Sequence, residues 1–196
     1  MKPTKLICIV GMCGAGKSEV AEYMKKKREF GYVRFGQITL DKFIELSEKP
    51  TEAREKEIRE GFRKKHGMAA FAILNIPKFD EELKHGDVIG DGLYSWEEYL
   101  VLKEKYDKRF VCIAVYAPPY LRYPRLADRS KKHGPDAKLR YRSFTLDEAA
   151  SRDKSEIENL NKGGPIAMAD YTLENISTVA RLQNQVDDIL NIIFKN

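Results

Sequence analysis

The sequence predicts an α/β fold of three layers, with a five-stranded parallel sheet between two layers of helices. Three observations lead there: short β-branched apolar runs recur along the chain, helix-length amphipathic stretches separate them, and the last stretch carries one apolar stripe. Strands covered on both faces read as continuous apolar runs, and residues 5–10 (KLICIV) and 110–116 (FVCIAVY) have that character.

The first strand, residues 5–10, enters a glycine-rich turn and then a helical pattern over residues 18–27. A second strand is placed at 32–35. Residues 40–49 read as a helix stopped by Pro50, and Thr51 is the expected N-cap of a longer helical stretch over 52–84 that Pro77 kinks or interrupts. Further strands are expected at 87–91 (DVIGD), at 110–116 and around 170–173. A helix is predicted after Pro118-Pro119, with Arg122, Arg125 and Arg129 on one face. In the closing helix Val179, Leu182, Val186, Ile189, Leu190 and Ile193 recur at spacings of three and four, one stripe to lay on the sheet.

Composition narrows the class. The chain has 196 residues, enough for one sizeable core, and shows no repeat, linker or low-complexity tract, so residues 1–196 are expected to form a single domain. No apolar run reaches the roughly 18 residues that span a bilayer. The cysteines Cys8, Cys13 and Cys112 are odd in number and argue against a disulfide framework, so a cytoplasmic location is expected. A formal charge of +5 suits an anionic ligand. His66, His85 and His133 lack metal-ligand spacing, and Trp96 and Tyr99 read as core residues.

The strongest signal is Gly11-Met12-Cys13-Gly14-Ala15-Gly16-Lys17-Ser18, which matches G-x-x-x-x-G-K-[ST] between a strand and a helix. The motif predicts a P-loop NTPase fold. Its glycines let successive backbone N–H groups turn toward phosphate oxygens, and the helix N-terminus adds positive potential. The cradle comprises Gly11, Cys13, Gly14, Ala15, Gly16, Lys17 and Ser18, with Glu19 next in the helix. Lys17 is expected on the β- and γ-phosphates of ATP and Ser18 on Mg²⁺.

Asp91, before Gly92 at a predicted strand end, lies where open α/β sheets bind ligands; it is expected to serve Mg²⁺ or orient an acceptor, or else to form a turn. Asp41 is a candidate general base and equally a helix-start carboxylate. Arg125 and Arg129, joined by Arg152, are expected to stabilise the charge of a phosphoryl group in transfer. The glycine-, proline- and lysine-bearing residues 130–136 suit a mobile flap within a lid of about residues 127–152.

On GMCGAGKS, FRKKHGMAA, VIGDGLYSWEE, APPYLRYPRLADR, SRDKSE and MADYTLEN, the chain resembles the nucleoside-monophosphate kinase and dephospho-coenzyme A kinase group, in particular its adenylate-kinase-related branch. The resemblance implies an acceptor-binding helical region at about 37–84, ATP on residues 11–18, catalytic roles for Asp91, Arg125, Arg129 and Arg152, and Asn175 near the adenine. Two positions depart from the group. Leu40 and the segment Leu93-Tyr94-Ser95 stand where relatives carry arginines that grip an acceptor phosphate, and neither can replace a bidentate donor. Arg34, Arg59 and Arg63 are placed to supply such contacts from elsewhere.

The reading is an ATP- and Mg²⁺-dependent kinase acting on a nucleotide-like acceptor, more readily at a hydroxyl than at a monophosphate. Its alternatives are a DNA-directed kinase acting on a hydroxyl of a modified base such as 5-hydroxymethyluracil, which would make nucleic acid the partner, and a regulatory nucleotide-binding protein. No membrane partner is expected.

Overall fold

The computed structural model describes residues 3–49, 51–129 and 143–195. Five strands, β1 (Leu6–Val10), β2 (Gly31–Arg34), β3 (Val88–Asp91), β4 (Phe110–Tyr116) and β5 (Tyr171–Glu174), form one sheet in the order β2-β3-β1-β4-β5. Every pairing is parallel. The three-layer fold follows the sequence closely. Helices α1 (Lys17–Lys27), α2 (Gln37–Leu46), α3 (Glu52–His66), α4 (Ala70–Glu82), α5 (Trp96–Tyr106), α6 (Pro119–Ala127), α7 (Leu146–Glu158), α8 (Gly163–Ala167) and α9 (Val179–Phe194), with a single 3-10 turn at Asp107–Arg109, complete the described elements.

The two-residue period of a strand divides the core into two layers. From β1, Leu6, Cys8 and Val10 join Phe35, Phe71, Phe79 and Leu102 on one side of the sheet. Ile7 and Ile9 join Val20 and Met24 of α1 and Leu182, Val186, Ile189, Leu190 and Ile193 of α9 on the other. The stripe read along α9 is thus its buried face, except that Val179 is exposed. Cys8 and Cys112 are buried neighbours in register and unbridged. Tyr99 is buried with Trp96 stacked on it at 5.2 Å, as core residues would be.

One helical prediction needs correction. Residues 52–84 form two helices rather than one, and the break falls at Gly67, whose φ of 76° lies in the left-handed region that costs a glycine little. Pro77 sits inside α4 without ending it; buried Asn75 and Phe79 flank it, and Asn75 Nδ2 donates to Phe35 O and Phe71 O, so tertiary contacts outweigh one lost helical bond. Thr51 caps α3 as expected, accepting from Arg54 N. Pro50, His133 and the flap at 130–136 lie outside the described residues, as do residues 130–142 of the expected lid. Among the described residues no helix is long and apolar enough to cross a membrane.

The strand order carries the functional consequence. β1 is flanked by β3 and β4, so the connections leaving its carboxyl end and theirs diverge to opposite sides, and a crevice opens at that edge.

Candidate nucleotide and acceptor site

A cavity of about 700 Å³ occupies this crevice. Cys13, Gly14, Gly16, Lys17, Ser18 and Glu19 form one wall. Gly16 has φ 104°, and a Cβ there would lie 2.2 Å from Asn175 Nδ2, so no other residue allows the loop to turn so close to its neighbour. Asn175 in turn donates to Ala15 O at 2.8 Å and lines the cavity, tying the end of β5 to the loop. Gly11 and Ala15 serve through their carbonyls. Lys17 Nζ donates to Gly11 O at 2.8 Å and to Met12 O at 3.1 Å, which holds it across the concave side of the loop.

A second lysine stands near the first. Lys162, between α7 and α8, is 2% exposed, lines the cavity, and donates from Nζ to Glu156 Oε2 at 2.7 Å. Glu156 also accepts from Arg152 Nε at 3.3 Å. Burial alone would raise the Glu156 carboxyl, but Lys162, Arg152 and Lys17 outweigh it and hold it at about 2. Burial, reinforced by the charge of Lys162, lowers Lys17 to about 8. The cavity therefore holds a network of three cations around one carboxylate, with Lys162 and Glu156 buried and Lys17 and Arg152 partly so, and Arg152, which lines the cavity, belongs to it.

Asp91 also lines the cavity, from the carboxyl end of β3, and is 8% exposed. Its Oδ2 accepts from Tyr32 Oη at 2.6 Å, which orients the carboxylate; burial and the negative charge of Asp91 push the Tyr32 phenol well up, so it stays a donor. Ser18 and Asp91 offer hydroxyl and carboxylate oxygens, hard donors that suit Mg²⁺. Among the described residues no cluster of three or more His, Cys, Asp or Glu side chains is placed to hold a metal alone, so nucleotide phosphates would complete the shell.

The three arginines of the α6 segment separate. Arg125 lines the cavity, donates from Nη2 to Asn175 O at 3.0 Å, and has a buried Nη1 without a hydrogen-bond partner among the described residues. Arg129 lines the cavity beyond the end of α6. Arg122 does not join them. It is 4% exposed, forks onto Asp153 of α7, and donates from Nη1 to Cys13 O at 3.0 Å and from Nε to Ala117 O at 2.8 Å. It braces the phosphate loop from behind instead of facing phosphate, because a buried guanidinium needs a carboxylate more than the surface does.

Asp41 is not among the cavity-lining residues. Its carboxylate accepts from Gln37 Nε2 at 2.9 Å and pairs with Lys78 of α4 at 3.0 Å. Burial would raise it, but those two partners prevail and lower it, the wrong direction for a base working near neutrality. Sequence reasoning missed Lys162 and Glu156 as site residues; the spacing of Arg152 and Glu156, four apart on one helix, was the available signal.

Comparison with known proteins places this geometry. A family model described as an AAA domain matches residues 7–144. The UPF0200 protein of Sulfurisphaera tokodaii is 31% identical over 98% of this chain and 99% of its own length. The chain belongs to the AAA-domain and UPF0200 families. The UPF0200 protein of Pyrococcus horikoshii is 28% identical over 97% of this chain and 98% of its own. Among solved structures, the shikimate kinase of Acinetobacter baumannii in complex with shikimate superposes with a TM-score of 0.55 at 17% identity, covering 98% of this chain and 94% of that one. The dephospho-CoA kinase of Campylobacter jejuni superposes with a TM-score of 0.54 at 15% identity, covering 98% and 99%. At these identities the solved structures show that this UPF0200 chain has the fold of P-loop kinases. Kinship is thus shown at the level of the family and the fold, one step coarser than the nucleoside-monophosphate and dephospho-coenzyme A kinase group.

Proposed function

We propose that the protein is an ATP- and Mg²⁺-dependent kinase that transfers the γ-phosphoryl group to a hydroxyl of a nucleotide-like small molecule. One observation carries the reading: the phosphate loop, a strand-end carboxylate and a set of cations from α6, α7 and the segment after α7 all face a single cavity. Hydrolysis would need no second compartment, whereas transfer needs donor and acceptor held together with water excluded. Solved structures that share the fold include ones named as shikimate kinase, dephospho-CoA kinase and gluconokinase, and the sequence motifs resemble a group of small-molecule kinases. A cavity of this volume lies in the range that small ligands occupy, which favours a small acceptor over a nucleic-acid strand.

In this reading the loop amides and Lys17 hold the triphosphate, and Ser18 and Asp91 would hold Mg²⁺, which when bound would supply positive charge to the phosphate oxygens. Asp91 is committed to the metal and to the Tyr32 hydroxyl, so the proton of the acceptor hydroxyl passes to an oxygen of the transferring phosphoryl group. As the new P–O bond to the acceptor forms, the bond between the γ-phosphorus and its bridging oxygen breaks and ADP departs. Arg125, Arg129, Arg152 and Lys162 face the equatorial oxygens, where the charge of the transferring group is spread. Asn175 sits beside the loop, on the expected adenine side.

The test is ADP production with and without a panel of nucleosides, nucleotides, dephospho-coenzyme A and small hydroxy acids. Acceptor-dependent turnover that vanishes in Lys17→Ala supports the reading. A rate that no acceptor raises above bare hydrolysis contradicts it.

A further inference from the structure

We propose that the acceptor carries a phosphate of its own, and that Arg34 and Arg59 grip it on the side of the cavity away from the P-loop. This rests on the kinase reading above and names the substrate class that the reading leaves open.

The observation is two buried polar groups that line the cavity without a hydrogen-bond partner among the described residues, with a third cation, paired only within its own helix, on the same wall. Arg34 lies at the carboxyl end of β2, in register with Asp91, and its buried Nη1 has no hydrogen-bond partner among the described residues. Thr39, in the first turn of α2, lines the same wall, is 4% exposed, and its buried Oγ1 likewise has no partner among the described residues. Arg59 of α3 reaches the wall as well, where its Nη1 donates to Glu55 Oε2 at 3.1 Å. Native interiors seldom leave buried donors unused, and where they do, a ligand is a standard reason.

The chemistry of the missing partner follows from the placement of these groups. Two guanidiniums call for an anion. The three groups are carried by a strand end and two separate helices that line one cavity, so a ligand meeting all three must accept on more than one side. A tetrahedral phosphate offers three oxygens in that arrangement, whereas a carboxylate offers two in one plane. Glu55 is the intramolecular counter-ion of Arg59, so phosphate entry exchanges one anion for another at that guanidinium. Leu40 and Tyr94 line the wall nearby and suit the uncharged remainder of the molecule. The set also answers the two departures from the related kinases: with leucine at position 40 and tyrosine at position 94, the phosphate contacts come from β2 and α3.

The experiment is calorimetric titration of inorganic phosphate, with acetate as the carboxylate control, into full-length protein whose P-loop is saturated with a non-hydrolysable ATP analogue. The expected result is one bound phosphate per chain, weaker by roughly tenfold or more in Arg34→Leu and in Arg59→Gln, with partial recovery in Arg34→Lys. Analogue affinity, measured on each variant, identifies any that fail to fold; Arg59→Gln, on a half-exposed helix face, then decides the matter. Absent phosphate binding, acetate binding of equal strength, or phosphate affinity unchanged in both variants would overturn the proposal. The two readings fail differently: phosphate binding without any acceptor-dependent turnover leaves this subsite standing and removes the kinase, whereas turnover of neutral acceptors indifferent to Arg34 and Arg59 does the reverse.

Discussion

Lys162 donates to Glu156 at 2.7 Å, and the two side chains, 2% and 7% exposed, form a buried ion pair at the floor of the cavity. Such a pair adds little net stability, yet removing one partner strands the other, typically at a cost of about 3–5 kcal/mol. Lys162→Met should therefore lower the denaturation midpoint sharply, with only the partly exposed Arg152 and the more distant charge of Lys17 left to compensate Glu156. The double variant Lys162→Met/Glu156→Gln should recover part of that loss, because no uncompensated carboxylate remains. Urea titrations of the three proteins check this, and strictly additive losses would count against a coupled pair.

Lys17 gives a second expectation. It titrates at about 8 in the folded protein, lowered by burial and by Lys162, and phosphate oxygens favour its charged form. Nucleotide binding should then take up protons as pH passes through about 8, and affinity should fall above that value, since the neutral amine must first be protonated. Calorimetry in buffers of differing ionisation enthalpy measures the uptake. In Lys162→Met the window should move upward, because one of the two causes of the lowered value is gone.

Arg122 and Asp153 concern stability and loop position. Arg122→Met leaves buried Asp153 without its fork and Cys13 O without a donor, so a loss of about 3–5 kcal/mol is expected together with weaker nucleotide binding. Arg122→Met/Asp153→Leu should restore much of the stability and less of the affinity, since the loop carbonyl stays unbraced. Recovery of both in full would show that the contact with Cys13 is idle.

Which parts of this were legible in the sequence follows from what local pattern encodes. Strand positions were read to within a residue or so because buried parallel strands are apolar whatever their neighbours, and the P-loop was read because its glycines answer to backbone geometry. The break at Gly67 was missed because Pro77 gave a louder local signal, although packing around Asn75 and Phe79 keeps that stretch helical. Arg122 and Arg125 look alike in a helical projection; Asp153, some thirty residues later, decides that one turns inward. Lys162 sat in a short connection with no pattern at all, and only the folded chain brings it beside Lys17.

Glu98 supplies a pH signature away from the phosphates. It is fully buried, accepts from Tyr94 N at 2.9 Å, and burial raises it to about 7 in spite of that bond and the nearby charges of Arg63 and Lys162. A carboxyl raised above its unfolded value binds its proton more tightly when folded. Its contribution to stability is therefore full below the unfolded value of 4.5 and is lost as pH rises through about 7. Glu98→Gln should flatten that decline, so the gap in melting temperature between variant and parent should widen in the variant's favour from mildly acidic to mildly alkaline pH. Thermal melts across that range check it, and parallel curves would refute it.

The central claim is that one cavity joins a phosphate donor to an acceptor. Phosphorus NMR of the protein with Mg²⁺, ATP and a mixture of phosphate-bearing hydroxyl compounds follows every phosphorus species at once and tests that claim most directly. The account requires a new phosphoester resonance growing in step with ADP, absent in Lys17→Ala. ATP converted only to ADP and inorganic phosphate, at one rate whatever acceptor is present, would contradict it.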